Sequence, residues 1–63
     1  MIEWKDMTVT AIGTATTGVN ELARALAVHG PSSRIDRLKA AREYFARATQ
    51  MVTDAIGEVQ SDV

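Results

Sequence analysis

Four side chains near the middle of the 63-residue chain are the best placed to bind something: Arg34, Arg37, Arg42 and Tyr44. A guanidinium presents planar, permanently charged donors that fork onto phosphate or carboxylate oxygens. A tyrosine ring offers a surface on which a flat group can stack. At about 100° per residue along a helix, Arg42 falls at one edge of an apolar stripe, beside Ile35 and Thr49. Arg37 and Tyr44 fall at the other edge, next to Met51, whereas Lys39 and Arg47 point away from the stripe. Arg34 belongs to the first helical turn, where unpaired backbone N–H groups already favour anions. These four residues form the candidate ligand-binding set. The alternative use of Arg37 and Arg42 is ion pairing between subunits, or stems snorkelled along the apolar stripe.

Other chemistry has little support. The chain has no cysteine, so disulfides and thiolate metal sites are excluded, and the single His29 has no carboxylates at a metal-ligand spacing. At the end of a helix, His29 serves as a cap or a surface group. No Ser/His/Asp arrangement or glycine-rich phosphate loop is present, because Thr14-Ala15-Thr16-Thr17-Gly18 lacks both the lysine and the preceding strand. The chain reads as a non-enzyme with no cofactor and no metal.

The elements that position the candidate residues are organised around His29-Gly30-Pro31-Ser32-Ser33. Gly30 suits a left-handed helix cap, Pro31 cannot continue a helix, and Ser32 or Ser33 can cap the next one, with Asp36 favouring its N-terminus. One helix therefore ends and another begins within five residues, and the two fold back as an antiparallel hairpin. The first helix is expected over about 7–29. Its apolar stripe is Val9, Ile12, Thr16, Val19, Ala23 and Leu26, widened by Ala15 and Leu22, with Thr14, Thr17, Glu21 and Arg24 opposite. Met7 to Ala11, rich in threonine, also reads locally as a strand, but the three-four spacing continues unbroken into the stronger helical part. The small residues Ala11, Gly13, Ala15, Thr17 and Gly18 let another backbone approach closely. The second helix is expected over about 34–58, with Leu38, Ala41, Phe45, Ala48, Val52, Ala55, Ile56 and Val59 on one face. Residues 1–6 form a lead-in and 59–63 a frayed tail around a single domain.

Size and charge constrain how such a hairpin works. A chain of 63 residues without disulfides or metal buries only about 60% of its unfolded surface and needs association to persist. The sequence therefore predicts an all-α hairpin assembling as a homodimer or larger helical bundle. The formal charge of −1 gives no general nucleic-acid signature. Charge is nevertheless segregated. Between Arg34 and Arg47 five cations face two acids, a net +3, and from Ala48 onward three acids stand unopposed, a net −3. No apolar run is long enough to span a bilayer, and the chain is read as soluble and cytoplasmic, with no membrane partner.

Glu21-Leu22-Ala23-Arg24, Pro31-Ser32-Ser33-Arg34, Ala41-Arg42 and Ala55-Ile56 together resemble the phage-encoded helical hairpins that act as cyclic-nucleotide sponges. These are the anti-CBASS sponge proteins and the hairpin part of the anti-Thoeris sponges. The resemblance covers about Glu21 to Gly57 and departs from the pattern at Leu38, where several members carry a large aromatic. It implies a small oligomeric anti-defence protein that sequesters a nucleotide second messenger between subunits without cleaving it. Arg42 matches the arginine of the second-helix Ala-Arg pattern, and Arg34 the Ser-Arg after the turn. Two other readings of the same sequence are an assembly module that docks a partner protein and, less favoured by the charge, an RNA- or DNA-binding hairpin dimer.

Overall fold

The computed structural model describes residues 3–61, and Met1, Ile2, Asp62 and Val63 lie outside the described residues. Two helices, α1 (Trp4–Ala27) and α2 (Pro31–Ser61), pack along their whole length as a hairpin, with no strand among the described residues. The chain is a rod with extents of 50 × 15 × 13 Å. Its radius of gyration, 14.6 Å, compares with about 11 Å for a compact domain of this length.

Both helices begin earlier than the periodicity suggests. α1 begins at Trp4 rather than Met7, so Met7–Ala11 is helix and Trp4, Lys5 and Asp6 of the expected lead-in are absorbed. Asp6 in its first turn suits the positive end of the helix dipole. Threonine is tolerated because its hydroxyls find acceptors one turn back: Thr8 donates to Trp4 O at 2.7 Å, Thr16 to Ile12 O at 2.7 Å and Thr17 to Gly13 O at 3.0 Å. At the other end, α2 continues to Ser61, whose hydroxyl donates to Gly57 O in the same way. The expected fraying from residue 59 is not seen up to there.

The turn is tighter than expected. α1 stops at Ala27, with Val28 extended and its N–H donating to Arg24 O at 3.0 Å. Gly30 takes a φ of +94°, a conformation open to glycine and strained for other residues. α2 then starts directly at Pro31, where the missing N–H costs nothing. The Gly30 carbonyl accepts from Arg34 N–H at 3.2 Å and opens the helix. Ser32 and Ser33 therefore lie inside α2, and neither caps it.

The helices meet through small residues at seven-residue intervals. Ala11, Gly18 and Ala25 of α1 are buried, as are Ala41, Ala48 and Ala55 of α2. This repeat is the mark of an antiparallel coiled coil in which the backbones come close. Gly18 is where the approach is tightest, since a Cβ there would lie 2.9 Å from Phe45 Cε1. The expected contact stripe of α1 is consequently wrong. Val9, Ile12, Val19 and Leu26 face outward, and Glu21, expected on the solvent side, is buried. Small side chains decide the contact because they allow close approach, and close approach leaves no room for large ones. The apolar core among the described residues consists of five alanines, and no large side chain is fully buried.

Candidate functional site

The seven-residue repeat gives the hairpin two unlike flanks. Residues 8, 15 and 22 of α1 and residues 38, 45, 52 and 59 of α2 lie on the same side of the seam, and here the large apolar groups collect. Residues 10, 17 and 24 of α1 and 40, 47 and 54 of α2 lie on the other side, which is polar.

On the apolar flank two grooves straddle the helices. One, of about 480 Å³, lies near the turn and is lined by Leu22, Ala25, Leu26, Arg34 and Leu38. The other, of about 350 Å³, lies near the open end between Trp4, Val52, Ala55, Ile56 and Val59. Between them the Phe45 ring sits over Gly18, half-buried. The outermost apolar group is Leu26, 89% exposed. Such a contiguous apolar face, running the length of a monomer, is what solvated proteins cover with a partner.

The four candidate residues do not converge on one cleft. Arg34 lines the turn-end groove, and its Nε donates to Val28 O at 3.3 Å, which ties α2 to the end of α1. Arg37 Nη1 donates to Glu21 Oε2 at 2.9 Å across the hairpin, while Arg24 reaches the other oxygen, Oε1, at 3.3 Å. Glu21 is 7% exposed and needs these partners, because an isolated buried carboxylate is strongly penalised. Arg37 therefore acts as a register pin between the helices, the ion-pair use that its spacing left open, although the pair lies within one chain. Tyr44 faces the polar flank. Arg47 covers its ring at 5.5 Å, and both line a groove with Thr10, Gly13, Thr14 and Met51. Arg42 also lies on the apolar side, in the column Ile35, Arg42, Thr49 and Ile56, exposed and with no ion-pair partner among the described residues.

Sequence reasoning missed Glu21 and Arg47. The signal for Glu21 was a carboxylate inside a run of seam residues, but its partner stands sixteen positions away across the turn. Among the described residues no cluster of His, Asp and Glu could hold a metal ion, and no helix is long and apolar enough to cross a membrane. His29 is exposed. Comparison with family models, curated proteins and solved structures finds no match to this chain.

Proposed function

We propose that this chain is a non-enzymatic binding module, a self-associating helical hairpin that captures a cyclic nucleotide where copies meet. The observation that carries the reading is Arg42, an arginine on the rim of the apolar face with no carboxylate partner among the described residues. A fixed cation at the border of a surface that needs covering is suited to a ligand that is part phosphate and part flat ring. Arg34, on the same flank, can supply a second cation, whereas Arg37 is held by Glu21. The resemblance over Glu21–Gly57 points to the same ligand class, and sequestration needs no catalytic group.

Titration calorimetry against cyclic di- and trinucleotides tests this reading. Binding with recovery of the intact nucleotide is expected. Arg42→Ala is expected to weaken binding by about tenfold to a hundredfold, the range for losing a charge-assisted hydrogen bond. No heat with any nucleotide of the panel would reject it. A second reading, docking of a partner protein, is favoured by the apolar face itself; it predicts indifference to nucleotides and insensitivity to Arg42→Ala.

A further inference from the structure

We infer that the apolar face is covered by a second copy of the chain, stacked face to face and end for end, so that the turn of each hairpin lies over the open end of the other. This deepens the proposed function by naming the junction at which the ligand would sit, but it takes nothing from the identity of that ligand.

The surface area indicates an occupant of this size. The chain exposes 4791 Å². A compact monomer of 6.8 kDa exposes about 4,000 Å². The difference is close to the roughly 800 Å² that each partner buries in a stable protein interface. All of the large aliphatic side chains from Val9 to Leu26 and from Val52 to Val59 remain exposed, so a folded copy has the surface a dimer needs and lacks the interior a monomer needs.

Shape and charge fix the direction of stacking. A two-fold axis near residue 47 of α2 brings the level of Leu38 onto that of Ile56, because the two stand nine positions either side of it. The same axis lays α1 on α1 and α2 on α2, so Leu38 of each copy meets Ile56 of the other, and the exchange is reciprocal, as a two-fold contact requires. The same operation lays the basic half of α2 over the acidic half of its counterpart. Arg34 comes level with the last turns of the other α2, where Glu58 carries negative charge. Stacking turn on turn would instead set the two basic halves at one end and the two acidic halves at the other.

The absence of cysteine makes the test clean. Leu38→Cys and Ile56→Cys change exposed positions and leave the alanine seam intact. Equal amounts of the two variants, one labelled with ¹⁵N, are mixed, oxidised without nucleotide and mapped by mass spectrometry, with circular dichroism as the check on folding. The expected result is a predominant 38–56 link between labelled and unlabelled chains, and little linkage of either variant alone. Predominant 38–38 linkage overturns the arrangement, as does an unlinked chain that sediments at twice 6.8 kDa or as a folded single copy. Because no nucleotide is present, loss of nucleotide binding in calorimetry would leave this result standing.

Discussion

The inner seam and the outer face of this hairpin are built by opposite rules. The seam uses alanine and glycine at seven-residue steps, so that two backbones approach and interlock. The face uses leucine, isoleucine and valine, which stay between 39% and 89% exposed. Small residues set how the two helices meet, and large ones are left exposed. Most of the burial that the side chains could supply is thus not made within one chain, since burying one leucine or isoleucine contributes about 1.5–3 kcal/mol and a buried alanine much less.

That contrast can be broken by substitution, and the largest effect should come from the face. Leu26→Glu puts a charge at the most exposed apolar position and should weaken self-association by about a hundredfold or more. Sedimentation velocity would register it as a fall in mass, with helix loss on dilution. A variant that keeps the wild-type mass would show that the face is not used.

Ala41 in the seam is 1% exposed, whereas Ala46 is exposed. Ala41→Leu overpacks the seam and should destabilise by about 1–3 kcal/mol in urea unfolding, against within about 0.5 kcal/mol for Ala46→Leu. Equal effects at the two positions would deny the seam its close packing.

A smaller loss is expected from Glu21→Ala, which strips Arg37 and Arg24 of their shared partner. Arg37 is 41% exposed and can turn to water, so the cost should be about 1 kcal/mol rather than that of a stranded buried charge. Chemical denaturation of Glu21→Ala alongside Arg37→Ala and the double variant would isolate the pair. Strict additivity would mean that the contact contributes nothing.

The smallest effect separates two glycines. Gly13→Ala meets nothing within 4 Å and should stabilise by about 0.8–1 kcal/mol through helix propensity. Gly18→Ala gains the same propensity but must displace the Phe45 ring, and should stabilise less or not at all. Thermal melts of the two variants side by side give the comparison.

Much of the hairpin was legible in the sequence. Gly30 and Pro31 announce the turn, and the three-four spacing announces both helices through the threonines. Ala41, Ala48 and Ala55 were legible as the inward face of α2, and Ala11 and Gly18 as points of close approach. Which face of α1 turns inward was not, because a hydrophobic stripe ranks Leu26 and Ile12 above Ala11 and Gly18, while close approach ranks them the other way. The start of α2 was misplaced for a similar reason: the serines are good caps in isolation, but Gly30 and Pro31 together already open the helix. Of the candidate site, the placement of Arg42 at the edge of the stripe could be read from spacing. The capture of Arg37 by Glu21 depends on a contact across the turn that no local pattern encodes.

The account rests on the claim that folding and association are one event, and sedimentation equilibrium combined with circular dichroism over a wide dilution series tests it most directly. It predicts a helical species at twice 6.8 kDa or a higher multiple, with mass and helicity falling together on dilution. A fully helical species of 6.8 kDa, with a melting temperature indifferent to concentration, would contradict it.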